Sequence, residues 1–301
     1  MTNLVFATGD FCSGSTLLFT LFRQTGKYYC LYEPLHELLP EYLVYGLRPS
    51  AHDHHFHVKS YYDEFKGFGQ ARALHNPAWG ASGLHLPPEA EADDLHRYIS
   101  YLVGSAFGRA PRVMFKENRL PFRLGWIRAK FPSAKIVHIH RPKEDQWNSI
   151  VRRVQAHHGR EDVGQDKVGF TGFNVATWCE DLKGVYPELD ARHFTSGFDR
   201  FSALWQLSYE ANRKHADISI DYRDLLGDFP ATAERLWRCL EITGIDSEAL
   251  QRFVVKPERK QAEAARGGVT AAVRTAMNRV GRKYARARVR LENRLLPSGR
   301  A

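Results

Sequence analysis

The stretch FATGDFCSGSTLLFTLFRQTG, residues 6–26, constrains this chain more than any other part of the sequence. An apolar strand leads into a turn bounded by Gly9 and Gly14, and an apolar helix follows from about Ser15. This order is typical of a phosphate-binding loop, because glycines let backbone amides approach an anion and a helix start adds its dipole. Nucleotide hydrolases place a lysine after the second glycine, but here Ser15 stands in that position. A plain turn between strand and helix is the alternative interpretation.

The bulk composition predicts a folded protein without a membrane span. The chain has 301 residues, 43% of them hydrophobic, enough for one large α/β domain or two small ones. It shows no signal-peptide pattern and no apolar run of roughly 18 residues, so we expect a cytoplasmic protein. Its cysteines lack metal-ligand spacing and are expected to be reduced thiols; they are Cys12, Cys30, Cys179 and Cys239.

The order of predicted elements indicates an α/β fold, a three-layer sandwich with a central parallel sheet. Ligands of such sheets bind beyond the carboxyl ends of the strands. An irregular, functional region is expected over residues 47–88. Strands are predicted at 3–7, 112–115, 135–140 and 218–222, and helices at 15–24, 87–108, 120–130, 143–156 and 198–217.

A second motif, KIVHIHRPKEDQWNSIVRR, covers residues 135–153. Arg141 ends a buried strand and Ser149 follows eight residues later, about two helical turns, so both can face one pocket edge. Arginine suits a fixed phosphate because its planar fork makes two parallel charge-assisted hydrogen bonds. The alternative is a structural arginine that pairs with a carboxylate such as Glu144.

With these motifs, the chain resembles sulfotransferases that use 3′-phosphoadenosine 5′-phosphosulfate (PAPS). The family's loop, [KR]-S-G-[ST]-[ST]-L, is matched by residues 13–17, and its strand-end arginine with a serine eight residues on is matched by Arg141 and Ser149. YEPLH at 32–36 and IDYRDLLGDFPATAERLWRCLEI at 220–242 are similar to further family segments. The resemblance implies a P-loop nucleotide hydrolase-like fold and transfer of the PAPS sulfuryl group to a hydroxyl of a sugar or small metabolite.

The same resemblance implies where PAPS binds, without a metal. The 5′-phosphosulfate would lie in the loop, the 3′-phosphate on Arg141, and the acceptor against residues 40–86 and the stretches around Trp178 and Phe198. The histidines of AHDHHFH, 51–57, are interpreted as a substrate-facing or solvated loop rather than a metal site. The co-substrate residues are Cys12, Ser13, Gly14, Ser15, Thr16, Leu17, Arg141, Ser149, Tyr222 and Arg266.

One departure from the family concerns the loop cation. The family has Lys or Arg immediately before Ser-Gly, where it stabilises charge on the bridging oxygen, but this chain has Cys12. Lys116, Arg119 and Arg23 are the candidates to replace it. We favour Lys116, because FKENR follows a predicted strand and should emerge at the same edge as the loop.

The expected general base is Glu33, carried over from the YEPL-like segment. Sulfuryl transfer resembles phosphoryl transfer, in which positioning and electrostatics dominate and a carboxylate can take the acceptor proton. The alternative is a surface or ion-paired glutamate after a strand. His36 is the reserve candidate, since imidazole titrates near neutrality.

Residues 1–255 are predicted to form the sulfotransferase domain and 256–301 a basic, amphipathic, helical tail. Residues 252–301 hold 14 Lys and Arg against 3 Asp and Glu. The tail has three interpretations: packing on the domain, a homodimer contact, or binding to an anionic membrane surface that would make the protein peripheral. No nucleic-acid partner is expected.

Two other functions remain open from the sequence. A P-loop nucleotide or small-molecule kinase is disfavoured, because the loop lysine is absent and no Mg²⁺-binding Asp ends a strand in the expected place. A catalytically degenerate nucleotide-binding protein would explain Cys12 as a mark of lost catalysis.

Overall fold

The computed structural model describes residues 3–45, 60–158 and 174–254, which all belong to one compact unit, Met1–Val255. The strands are β1 (Leu4–Thr8), β2 (Tyr29–Tyr32), β3 (Val113–Lys116), β4 (Lys135–His140) and β5 (Ile218–Asp221). The helices are α1 (Ser15–Gln24), α2 (Leu39–Tyr45), α3 (Ala71–Leu74), α4 (Asp93–Phe107), α5 (Leu124–Lys130), α6 (Lys143–His158), α7 (Val175–Leu182), α8 (Gly197–His215), α9 (Tyr222–Gly227), α10 (Phe229–Cys239) and α11 (Ser247–Gln251). Single 3₁₀ turns lie at Asp63–Phe65, Pro77–Gly80, Pro121–Arg123, Pro187–Leu189 and Ala191–His193.

The five strands form a parallel sheet in the order β2-β3-β1-β4-β5. All five residues of β1 are buried, as expected of a central strand covered on both faces. From β1 the chain crosses to β2 on one side, whereas β4 lies on the other, so a crevice opens beyond the carboxyl ends of β1 and β4. The predicted α/β sandwich with a parallel sheet is confirmed.

Most predicted elements are present, with shifted ends. The helix at 15–24 and the strand at 135–140 have the predicted bounds. The helix predicted at 87–108 begins only at Asp93, because Ala90 N–H closes a turn on the Pro87 carbonyl and Trp126 Nε1 donates to the Ala90 carbonyl. The predicted helix at 120–130 opens with a 3₁₀ turn before α5 begins.

Two elements near the site were not predicted from the sequence. Strand β2 has only four residues, too few to show an alternating pattern, and its pairing partner β3 lies more than 80 positions away. Helix α7 has eight residues and begins where the Asn174 side chain accepts a hydrogen bond from Thr177 N–H at 2.8 Å. Residues 46–59 of the predicted irregular region, and the tail, lie outside the described residues.

Two hydrophobic clusters make up the core of the described unit. The larger one surrounds the sheet and includes α1, α4, α5 and α10. The smaller one joins α6, α7 and α8 through Trp147, Trp178 and Phe201, and it also receives Phe11 from the loop after β1. The Phe11 and Trp178 rings meet edge to face with their centroids 4.9 Å apart. The loop is therefore packed against the helical layer as well as the sheet.

Candidate functional site

The loop between β1 and α1 has the backbone that the sequence predicts. Ser13 N–H donates to the Asp10 carbonyl at 3.2 Å, which closes a turn, and Gly14 adopts φ 100 as the residue before α1. Cys12 also has positive φ, 54, a conformation that non-glycine residues rarely adopt and that often marks a functional turn. A Cβ at Gly9 would lie only 2.8 Å from the Ile139 carbonyl, so the loop is pressed against β4.

Several donors in this turn fit an anion. The first-turn amides of α1, at Ser15 and Thr16, belong to the group that a helix leaves without intrahelical acceptors. The Ser13 side chain is fully buried and its hydroxyl has no hydrogen-bond partner among the described residues. Buried polar groups in proteins are nearly always paired, so a ligand oxygen is the fitting partner for these donors.

Gly14→Ala should destabilise the protein because Gly14 faces the ring of Tyr222. An added Cβ would lie 2.3 Å from Tyr222 Cδ2, and positive φ alone costs a non-glycine residue about 1–3 kcal/mol. Gly26→Ala is the matched control, since Gly26 has φ 64 but no atom of the described residues lies within 4 Å of its added Cβ. Thermal unfolding should show the larger loss for Gly14→Ala. Equal losses would mean that Tyr222 does not press on the loop.

Arg141 and Tyr222 meet above the loop, where β4 and β5 end. The Arg141 guanidinium carbon lies 3.6 Å from the centre of the Tyr222 ring, a cation–π contact. Arg141 Nε is buried and has no hydrogen-bond partner, and Arg141 forms no ion pair with any described residue, Glu144 included. Ser149 lies half-buried on α6. An arginine that is held by stacking, and whose guanidinium N–H groups form no ion pair with the described residues, is suited to bind a phosphate.

On the other side of β1, Glu33 and Lys116 form a buried ion pair. Lys116 ends β3 beside Ala7 of β1, is fully buried, and donates from Nζ to Glu33 Oε1. Glu33 follows β2 with φ 39, and its N–H donates to the Lys116 carbonyl at 2.7 Å. Glu33 is therefore ion-paired, as the alternative interpretation expects, and it lies at the carboxyl edge of the sheet, where its role as a base stays a prediction.

Arg119 extends this pair into a network. It donates to Glu33 Oε2 at 3.0 Å, to Glu37 Oε2 at 2.8 Å and to Glu117 Oε1 at 3.3 Å, with only 1% of the residue exposed. Glu117 in turn accepts from the N–H groups of Leu35 and Arg119. Removing one member of such a network leaves a buried charge unpaired, so these residues are held tightly in place.

The network sets the protonation of Glu33. Burial by itself would raise its pKa, but the charges of Lys116 and Arg119 outweigh burial and hold the pKa below the ordinary carboxyl value. Burial acts on the Lys116 pKa in the opposite sense and lowers it, yet the direct bond to a carboxylate of lowered pKa keeps the pair ionised. Glu33 is therefore an ionised carboxylate, a weak base with its lone pairs oriented.

The reserve candidate, His36, is less suited to accept a proton. Burial, followed by Arg119, lowers its pKa to about 4, so the ring is neutral near pH 7. Its Nδ1 accepts a hydrogen bond from Leu38 N–H at 3.1 Å, which leaves the ring proton on Nε2. A neutral imidazole with both nitrogens committed in this way has no free lone pair for an acceptor hydroxyl.

The other predicted loop residues have varied surroundings. Thr16 Oγ1 lies 3.0 Å from Tyr32 Oη, and Cys12 packs half-buried on the smaller core cluster. Leu17 N–H donates to the Gly14 carbonyl. Arg23, a candidate loop cation, lies in the last turn of α1 and pairs with Glu64 at 2.6 Å, so it does not reach the loop at the other end of that helix. Arg266 lies outside the described residues.

Sequence reasoning missed Asp10, which is inside the loop and 5% exposed. Its carboxylate accepts from Phe11 N–H and from Ser208 Oγ, both at 2.8 Å. Burial raises the pKa of Asp10 to about 6, although both hydrogen bonds act to lower it. Nothing in the sequence pointed to this contact, because Asp10 and Ser208 are 198 positions apart.

A cavity of about 530 Å³ lies elsewhere, between α7, the start of α8 and the 3₁₀ turns at 187–193; Thr177, Glu180, Asp181 and Arg200 are among its lining residues. Trp178, which contacts the loop, is on the opposite face of α7 from Glu180.

The described ranges contain no metal-binding group of three or more His, Cys, Asp or Glu side chains. None of the helices in those ranges is long and apolar enough to cross a bilayer.

A parallel sheet with a glycine-bounded loop at the switch in strand order defines an α/β protein of P-loop-like fold. A family model described as "Sulfotransferase family" matches residues 5–246. The chain therefore belongs to the sulfotransferase family.

Solved structures similar to this chain are also sulfotransferases. The sulfotransferase domain from the curacin biosynthetic pathway is 13% identical, with 82% of this chain and 76% of that chain covered and a TM-score of 0.42. STF1 from Mycobacterium tuberculosis H37Rv is 22% identical, with 84% and 71% covered and a TM-score of 0.37. STF9 from Mycobacterium avium is 14% identical, with 83% and 67% covered and a TM-score of 0.44. A comparison with curated proteins gave no match.

Proposed function

We propose that this protein is a cytoplasmic, PAPS-dependent sulfotransferase that acts on a hydroxyl of a sugar or small metabolite. The observation that carries the proposal is the pairing of two anion sites across one crevice. The glycine-bounded loop suits the 5′-phosphosulfate, and Arg141, with its fork unpaired over Tyr222, suits the 3′-phosphate. The two sites are joined by the contact between Tyr222 and Gly14.

In the proposed reaction, the acceptor oxygen forms a bond to sulfur while the bond from sulfur to the bridging oxygen breaks. Adenosine 3′,5′-bisphosphate leaves, and the acceptor proton goes to Glu33. Ser13, Ser15, Thr16 and the amides around Gly14 hold the 5′-phosphate group, as preorganised donors do for developing charge. Cys12 and Leu17 complete the loop, and Ser149 supports the 3′-phosphate site.

The pair of Glu33 and Lys116 links the base to the loop cation in this proposal. While Glu33 is ionised, its charge compensates the Lys116 ammonium directly. A proton arriving on Glu33 cancels that compensation at the same time as the bridging oxygen gains negative charge. Lys116, buried at the strand end beside β1, then supplies the positive charge that the family usually takes from the loop position held here by Cys12.

Aromatic side chains next to this pair support a sugar or ring-bearing acceptor. The Tyr42 ring lies edge-on to His36 at 5.0 Å and stacks on Tyr62 at 5.3 Å. Tyr42 is half-buried, and an exposed part of such a ring can pack against the apolar face of a sugar while a nearby carboxylate meets a hydroxyl. A screen of hydroxyl-bearing acceptors with labelled PAPS, scored by transfer of the label, tests the acceptor class.

The kinase alternative has less support. The strands on either side of β1 end in Lys116 and His140, and the carboxylate that follows Lys116, Glu117, is already bonded to Arg119 and the Leu35 N–H. Binding distinguishes the two functions: retention of adenosine 3′,5′-bisphosphate with indifference to ATP and Mg²⁺ supports the sulfotransferase, and the reverse supports the kinase. A degenerate binding protein would retain the nucleotide and transfer no label.

The role of the 256–301 tail stays a hypothesis, with packing on the domain, a homodimer contact and binding to an anionic membrane surface as its interpretations.

Arg141→Ala should weaken adenosine 3′,5′-bisphosphate by roughly 30-fold or more and leave adenosine 5′-monophosphate almost unchanged. The reason is that only the first ligand carries the 3′-phosphate, whose charge would lose its bidentate partner. Calorimetric titration of both nucleotides measures this, with Arg152→Ala as control, because Arg152 is an exposed arginine on the same helix that follows Arg141. Equal weakening of both ligands would show that Arg141 is structural.

A further inference from the structure

Asp10 connects the phosphate-binding loop to a helix distant in sequence. One carboxylate oxygen accepts from the neighbouring Phe11 N–H and the other from Ser208 Oγ, each at 2.8 Å. Asp10 is 5% exposed and Ser208 is fully buried, so water does not compete for either bond. An ionised carboxylate acts solely as a hydrogen-bond acceptor and has two oxygens, so it can accept from an amide and a hydroxyl at the same time.

Helix α8 also contacts the end of strand β4. Within the helix, Asn212 Nδ2 donates to the Ser208 carbonyl at 2.8 Å, and Asn212 is fully buried. Tyr209, next to Ser208, packs its ring edge-on against His140 at 5.0 Å. His140 immediately precedes Arg141, so α8 contacts both the loop and the strand end that carries the second anion site.

Phe11 gives the loop a second attachment, through its ring contact with Trp178 on α7. Two consecutive residues, Asp10 and Phe11, are thus bound to the helical layer. They form the first half of the turn that Ser13 N–H closes on the Asp10 carbonyl. The direction of the amides after that turn depends on how Asp10 and Phe11 are held.

We propose that Asp10 is a positioning residue, which fastens the loop to α8 through Ser208 so that the donors of residues 13–16 face the 5′-phosphate group. This inference rests on the proposed function for the ligand, and on contacts within the protein for the geometry. The two hydrogen bonds also direct the Asp10 carboxylate toward Phe11 N–H and α8, which limits its repulsion of a bound anion.

Removing either partner should weaken one nucleotide selectively. Asp10→Ala and Ser208→Ala are each expected to reduce the affinity for adenosine 3′,5′-bisphosphate about tenfold and to leave adenosine 3′-monophosphate unchanged. The second ligand lacks the 5′-phosphate and so does not use the loop. If the two side chains act through one contact, the double variant should be no weaker than the weaker single variant.

Two further variants distinguish a positioning role of Asp10 from a general loss of protein stability. Asp10→Asn keeps an acceptor for Phe11 N–H and can donate to the Ser208 hydroxyl, so it should bind the bisphosphate within about threefold of wild type. Ser202→Ala removes a hydroxyl from the same helix that has no hydrogen-bond partner among the described residues, and it should leave the affinity for both nucleotides unchanged. Equal loss of both nucleotides in Asp10→Ala, or failure of Asp10→Asn to restore binding, would overturn the proposal.

Amide hydrogen exchange in the nucleotide-free protein tests the geometry without any ligand. Faster exchange confined to residues 9–16 in Asp10→Ala and Ser208→Ala is the expected result, and unchanged exchange would overturn the inference. If wild type binds neither nucleotide while exchange in the loop still accelerates in both variants, the proposed function fails and the positioning role of Asp10 stands.

Discussion

Lys116→Ala should lower turnover by about 10²- to 10³-fold, because a preorganised charge at the departing oxygen contributes several kcal/mol to transition-state stabilisation. The cation lies at the end of β3 beside β1 and is paired with Glu33. Glu33 would still be paired with Arg119 at 3.0 Å, so the network keeps one of its two cations there. Transfer of label from PAPS, measured under saturating conditions, gives the rate.

A volume-matched variant guards against loss of the fold at this fully buried position. Lys116→Met roughly retains the length of the side chain and removes the ammonium with its charge and its hydrogen bond to Glu33, and its thermal unfolding should be compared with that of wild type. Adding Cys12→Lys to Lys116→Met restores the cation at the usual family position and should recover part of the rate. Wild-type turnover in Lys116→Ala would end the assignment of Lys116 as the replacement cation.

Glu33→Gln should reduce kcat by roughly 10²- to 10⁴-fold while the affinity for adenosine 3′,5′-bisphosphate stays the same. Glutamine has the size of glutamate and can accept the Lys116 hydrogen bond, but it cannot take the acceptor proton. Since the cations hold the pKa of Glu33 below the ordinary value, the carboxylate is ionised from mildly acidic pH upward. Proton transfer to Glu33 should therefore persist as the pH falls, until the pH drops through that lowered pKa.

Glu37→Gln is the matched control, because Glu37 bonds the same Arg119 guanidinium at 2.8 Å. Glu37→Gln should reduce kcat by less than tenfold if the loss in Glu33→Gln comes from impaired proton transfer rather than from disturbance of the Arg119 network. The His36→Ala variant completes the comparison. If Glu33→Gln remained fully active and His36→Ala were inactive, the base would be the histidine.

The parts of the fold that are local in sequence could be predicted without a structure. The loop with Gly9 and Gly14, helix α1 and strand β4 follow from residue spacing, because turn, helix and buried strand each have a pattern that one short window contains. The four-residue strand β2 could not be predicted, since it forms by pairing with β3 far along the chain. The position of Glu33 beside Lys116 depends on that pairing.

Residue types at the site were likewise readable, but their partners were not. The sequence by itself determined the P-loop-like α/β architecture and the glycine-bounded loop without a lysine, and it predicted Glu33, Lys116 and Arg141 as candidate site residues. Only the tertiary structure decided that Glu33 and Lys116 are one buried ion pair, that Arg119 joins them, and that Asp10 is bonded to Ser208. The physical reason is that charge compensation and hydrogen bonding act over a few ångströms in space, whichever residues the fold brings together, whereas sequence patterns report only neighbours along the chain.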